Sequence, residues 1–269
     1  MENKNREPII EAEVNLSYTH GLYRFFTKTV AALFVVALAI LQAAKDTVAG
    51  AAAARIVSCL WVVHHNARKL EGIDSISSSV HDNCFCAAWR KLKDCICAHC
   101  YAYNQQTMHT GLKEHNILNG IILRNVLIPV AAFRYLPILF PYLRIESFGD
   151  VANVIQARNY IRIIKAFPGK RCAIWSKNIE TWHQAFALEG KPKNTTFVLS
   201  SPYLNKPVSE EVIRKYDFID HVFTVYTKKF AVENGIVINC GGRKCLECIM
   251  KKTACYFRGN SLYINELKK

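Results

Sequence analysis

Apolar residues fill positions 29–44 without a charge between Lys28 and Lys45, and a weaker apolar stretch follows at 47–63, interrupted by Arg55 alone. A spanning helix needs about 20 such residues, so the first stretch is slightly short. Three readings of 29–63 stay open: a membrane anchor or hairpin, a buried or dimerising helix, and a secretory signal behind a long polar leader. From Asn66 the pattern is that of a globular chain, and the polar stretch 72–83 reads as a turn-rich connection. Met108, Leu112, His115, Leu118 and Ile122 recur at spacings of three and four, which predicts a helix over 103–125. Two prolines mark 135–143 as a connection. The next unit is a strand at 143–147, a turn at Phe148-Gly149-Asp150, a helix at 154–166, a Pro168-Gly169 turn and a strand at 172–175. The same grammar continues with a helix at 179–188, a strand at 196–200, a helix at 209–215 and a strand at 221–226.

Alternating strands and helices predict an α/β fold with a mainly parallel sheet, either open or a partial βα barrel. The chain divides into a polar tail and apolar segment at 1–65, an α/β domain at 66–239 and a cysteine-rich clip at 240–269. Ligand sites in such folds gather where strands end, which is where Glu146, Asp150, Trp175, Lys177, Ser200, Ser201 and Tyr226 fall.

Charge adds a partner class. Lys and Arg number 35 against 21 Asp and Glu, a net charge of +14 that draws the chain toward nucleic acid or an anionic membrane face. No GxSxG elbow, phosphate loop of the GxxxxGK[ST] type, HExxH or GxGxxG occurs, which leaves hydrolase and kinase readings unsupported.

Cysteine placement carries the chemistry. Of 11 cysteines, Cys84, Cys86, Cys95, Cys97 and Cys100 form one group and Cys240, Cys245, Cys248 and Cys255 another, while Cys59 and Cys172 stand in apolar runs. Local clustering of thiols in a chain of this length points to metal rather than to a disulfide framework, and to the reducing cytoplasm. Cys97-x2-Cys100 directs two thiolates to one ion, with Cys95 and either Cys84 or Cys86 upstream; the predicted first set is Cys84, Cys95, Cys97 and Cys100. The second group supplies four thiolates within sixteen residues, enough for a tetrahedral zinc site or a four-iron cluster, and Gly241 and Gly242 let the backbone turn between the first two.

Taken in order, the segments 69–77, Cys97-x2-Cys100-Tyr101-Ala102, 144–150 (RIESFGD), Asn159-Tyr160, 175–178 (WSKN), Ser200-Ser201, 222–226 and the terminal CGGRKCLEC resemble the phage and mobile-element "gene product 88" proteins, from Lys69 to the end. That family is similar to a reduced radical-SAM barrel. The resemblance implies an iron–sulfur cluster, with zinc as the alternative, and S-adenosylmethionine held near Glu146, Ser147, Gly149, Asp150, Trp175, Lys177 and Ser200. In radical-SAM proteins a motif at the place of Ser147-Phe148-Gly149-Asp150 receives the amino group of that cofactor. The cysteine spacing departs from the usual CxxxCxxC. The alternative is a nucleic-acid-binding protein whose metal is structural, with Lys177, Lys191 and Lys193 as phosphate contacts.

Overall fold

Ser75, Ile76 and the residues around them, read from sequence as a turn, form a strand because their polar side chains find partners inside the protein. The computed structural model describes residues 63–66, 68–125, 127–134, 136–241, 243–252, 255–259 and 261–268. The apolar stretch 29–62, and with it the membrane, dimerising-helix and secretory readings, lies outside them. Among the described residues no helix is long and apolar enough to cross a membrane.

Seven strands make one open sheet in sequential order: β1 (His64–His65), β2 (Asp74–Ile76), β3 (Tyr142–Ile145), β4 (Arg171–Ser176), β5 (Thr195–Ser200), β6 (His221–Tyr226) and β7 (Tyr263–Leu267). β1 pairs antiparallel with β2, and every later pair is parallel. The described helices are α1 (Cys84–Arg90), α2 (Tyr101–Met108), α3 (Thr110–Asn125), α4 (Val130–Phe133), α5 (Val154–Ala166), α6 (Ile179–Glu189), α7 (Glu210–Lys215), α8 (Lys228–Glu233) and α9 (Cys245–Met250). Sequential parallel strands joined by crossovers of one hand put the connecting helices on a single face.

Side chains alternate across the strands accordingly. Leu143, Ile145, Cys172, Ile174, Phe197 and Leu199 pack with Leu123, Ala157, Tyr160, Ile161, Trp182 and Phe186 of the helices. On the other face Ala173 and Trp175 meet Ile73, Ile249 and Tyr256. The C-terminal segment is therefore more than a clip. It ends in β7 of the same sheet and covers the inner face on the way.

Three anchors hold that cover. Thr196 Oγ1 donates to the Cys255 carbonyl at 2.5 Å, both ring nitrogens of His221 lie 3.0 Å from the Phe257 and Ser261 carbonyls, and Lys244 pairs with Glu71 at 2.6 Å. Lys69 Nζ, just before β2, reaches Glu266 Oε1 of β7 at 2.6 Å. The segment from 240 onward thus crosses from the β7 edge to the β2 edge.

Candidate functional site

The C-terminal ends of β2, β3 and β4 are knitted by buried hydroxyls. Ser77 Oγ lies 2.9 Å from Ser147 Oγ, which donates to Ser75 Oγ at 3.1 Å, and Tyr101 donates to the Ser147 carbonyl at 2.6 Å. Glu146 stands at φ +56° and is buried, and its carboxylate accepts from Ser78 N (3.0 Å), Ser78 Oγ (2.6 Å), Gln156 Nε2 (3.1 Å) and Tyr160 Oη (2.6 Å). Three of the four donors meet Oε1 and Ser78 N alone meets Oε2, which the Gly149 backbone crowds. Burial pushes its carboxyl up to about 7, against the pull of the Ser78 and Tyr160 bonds. A Cβ at Gly149 would stand 2.7 Å from the Ser78 carbonyl oxygen, so glycine there admits the neighbouring backbone rather than a ligand.

Asp150 is differently placed. Its Oδ1 accepts from Ser176 Oγ and from Val151 N at 2.8 Å, and its Oδ2 from Lys177 N at 2.7 Å, which leaves Oδ2 one acceptor position. Asn83 ties the first cysteine segment to this point, since its Nδ2 donates to the Asp150 carbonyl at 2.5 Å while its Oδ1 caps α1 through Cys86 N at 3.2 Å. The following segment is pinned to the end of β5, where Ile96 N donates to the Pro202 carbonyl at 2.8 Å and Cys95 bridges to Tyr203.

These anchors gather Cys86, Cys95, Cys97 and Cys100 around Lys177 as mutual electrostatic neighbours. Cys84 is exposed, whereas Cys86 neighbours Cys97 and Cys100, so the thiol that α1 contributes is Cys86. Burial works against the charge of Lys177, yet Cys97, Asp150, Cys86 and Cys100 hold its ammonium above the usual lysine range. Among the described residues its side chain forms no hydrogen bond or ion pair. The Cys97 thiol donates to Cys95, which lowers the first ionisation at Cys95 and raises the second at Cys97; the pair titrates as a unit.

Ser200 is buried at the end of β5. Trp175 lies instead on the inner face, beneath the Arg144 guanidinium at 4.2 Å. Lys191 is spent on Asp220 at 2.5 Å. Among the described residues no three His, Cys, Asp or Glu side chains converge to ligating geometry; Cys86, Cys97 and Cys100 are electrostatic neighbours, as are Cys240, Cys245 and Cys255. The second group stands with Leu70 and Ile73 on the inner face, where Cys245, Cys248 and Cys255 pack against Ile249 and Tyr256. Lys69 Nζ lies 3.7 Å from Cys240 Sγ. Burial pushes the Cys255 thiol up to about 12, with Arg144 opposing.

Sequence reasoning missed Asn83, Ser77, Ser78 and Tyr101 here, and Arg144 and Lys69 at the second group. Lys69, Ser77, Tyr101 and Arg144 lie in the segments that carry the resemblance but had no role assigned there, and Asn83 is of the residue type that caps helices.

The chain is thus an α/β protein whose open, sequentially wound sheet carries thiols and a half-buried lysine at its strand ends. Comparison with protein-family models, curated proteins and solved structures finds no match.

Proposed function

We propose that the protein is a radical-SAM-like partial barrel of the gene product 88 kind, holding an iron–sulfur cluster on thiolates drawn from Cys86, Cys95, Cys97 and Cys100. The observation that carries this reading is Lys177 with Asp150 beside four thiols at the strand ends. The chemistry of the donors fits. Three of the four sulfurs would hold a four-iron cluster and leave one iron open, and an adjacent cation favours the ionised thiols that metal requires. Lys177 offers an ammonium to a carboxylate, and Asp150 Oδ2 offers its remaining acceptor position to an ammonium. Together they match the zwitterionic amino-acid end of S-adenosylmethionine. Glu146, Ser147 and Gly149 serve that site by fixing the loops, since Glu146 is buried against Ser78, Tyr160 and Gly149, Ser147 bonds within the chain and the space at Gly149 is filled. Held there, a cluster with an open iron would supply, once reduced, the electron needed to cleave this cofactor.

The test is protein purified without oxygen, assayed for iron, sulfide and zinc and then given dithionite and S-adenosylmethionine. The expected result is a brown protein that releases methionine and 5′-deoxyadenosine, with colour lost in Cys97→Ala/Cys100→Ala. Lys177→Met keeps the colour but weakens cofactor binding. Zinc without sulfide, with nucleic-acid affinity that falls steeply as salt rises, would overturn the reading in favour of a structural-metal nucleic-acid-binding protein, to which the +14 charge lends the attraction.

A further inference from the structure

Beside the second cysteine group two donors have no acceptor among the described residues. Arg144 Nε and Tyr256 Oη are both buried and unpaired, and Tyr256 is only 3% exposed. Both residues are electrostatic neighbours of Cys245 and Cys255. Buried polar groups are nearly always satisfied, so an orphaned pair beside the same sulfurs calls for an explanation. A neutral thiol accepts hydrogen bonds weakly. A thiolate on a metal is an anionic acceptor, and donors around such sulfurs are what orient and stabilise it.

A second observation, at the opposite end of the group, points the same way. Lys69 Nζ lies 3.7 Å from Cys240 Sγ, which puts one cation at Cys240 and another, Arg144, at Cys245 and Cys255. Four thiolates around a zinc ion or a four-iron cluster remain net anionic, and two flanking cations compensate that charge. The backbone suits the ligands as well, because Cys245 and Cys248 share one face of α9 and rotation about χ1 turns both sulfurs to one point.

We propose that Cys240, Cys245, Cys248 and Cys255 bind a thiophilic metal, zinc or an iron–sulfur cluster, as a centre separate from the one at the strand ends, and that Arg144 and Tyr256 are positioning residues donating to its sulfurs. Each ligating thiol gives up its proton to solvent as the metal binds. The centre lies between the segment before β2 and the strand β7, so metal here fastens the C-terminal cover across the inner face.

The experiment compares zinc, iron and sulfide per chain in the full-length protein, in Cys97→Ala/Cys100→Ala and in Cys245→Ala/Cys248→Ala. Metal that survives the first double substitution and is lost in the second supports the proposal, even if the strand-end reading fails. No metal in Cys97→Ala/Cys100→Ala, or full metal in Cys245→Ala/Cys248→Ala, overturns it. Because the second double variant can lose its fold along with its metal, Tyr256→Phe provides the finer test, removing one hydroxyl and keeping the ring against Tyr142. Loss of an outer donor weakens metal retention against a chelator by roughly ten- to hundredfold and shifts the sulfur-to-metal charge-transfer band of the cobalt-substituted protein. Retention and band both unchanged would overturn the assignment of Tyr256.

Discussion

At the scale of single residues the most constrained group is the Glu146 carboxyl, which burial lifts from 4.5 to about 7. An acid whose folded value is raised keeps its proton while the unfolded chain has lost it, so unfolding releases a proton between those limits. Stability attributable to Glu146 therefore falls as pH rises from about 4.5 to about 7, by about 1.4 kcal/mol per pH unit. Glu146→Gln should flatten that part of the profile. It should also destabilise the protein, because the amide turns one more N–H toward the four surrounding donors than the protonated carboxyl does. Urea unfolding of both proteins at half-unit steps across the window measures this, and parallel curves would refute it. Sequence placed Glu146, Asp150 and Lys177 at strand ends correctly in space. It had no means of separating their roles, since the donors that occupy Glu146 come from Ser78 and Tyr160, at separations along the chain that only the folded sheet closes. The choice between Cys84 and Cys86 has the same character: both lie in the first turns of α1, and which one faces Lys177 follows from the Asn83 bond to Asp150.

At the scale of elements, the units that bury one clear face were legible. The helix predicted at 154–166 is α5 residue for residue, and the strands predicted at 172–175, 196–200 and 221–226 are the cores of β4, β5 and β6. The helix predicted over 103–125 is two, α2 and α3, parted at His109, whose backbone departs from helical geometry. β2 escaped because its inward side chains are polar: Asp74 accepts from Phe140 N at 2.8 Å and meets His65 Nδ1 at 2.6 Å, and Ser75 and Ser77 bond to Ser147. Hydropathy does not register burial that hydrogen bonds make affordable. β7 escaped within a stretch dominated by its cysteines. The best-defined element junction is the start of α5, where Asn153 Oδ1 caps Gln156 N at 2.9 Å while Nδ2 donates to the Arg124 carbonyl near the end of α3 at 3.0 Å. Asn153→Ala loses both bonds and should cost about 1–2 kcal/mol, lowering the thermal midpoint by about 2–4 °C per kcal/mol. Asn153→Asp keeps the cap and should recover part of the loss. Equal midpoints for the native and alanine proteins would show the junction to be held by packing alone.

For the molecule as a whole, the question is what joins the first and last strands of a sheet that does not close on itself. β4 and β5 are covered on both faces, by the helices and by the C-terminal segment, whereas β7 is partly exposed along its length. Amide exchange should follow that gradient, slowest in β4 and β5 and fastest in β7, because local opening is least costly where fewest apolar groups are buried. Lys69 sets the height of the barrier at the weak edge. It pairs with Glu266 and stands beside Cys240, and both side chains of the ion pair are partly solvated, so the pair contributes at most about 1 kcal/mol. Lys69→Met keeps the aliphatic stem and removes the charge. The expected result is faster exchange in β7 and in residues 240–250, by no more than about fivefold for that energy, with β4 and β5 unchanged. Acceleration spread evenly over all strands would mean that the sheet opens as one unit and that the edge contact is not a separate latch. Acceleration confined to β7 and the cysteine segment would mean that the inner face is uncovered by releasing the C-terminal segment alone.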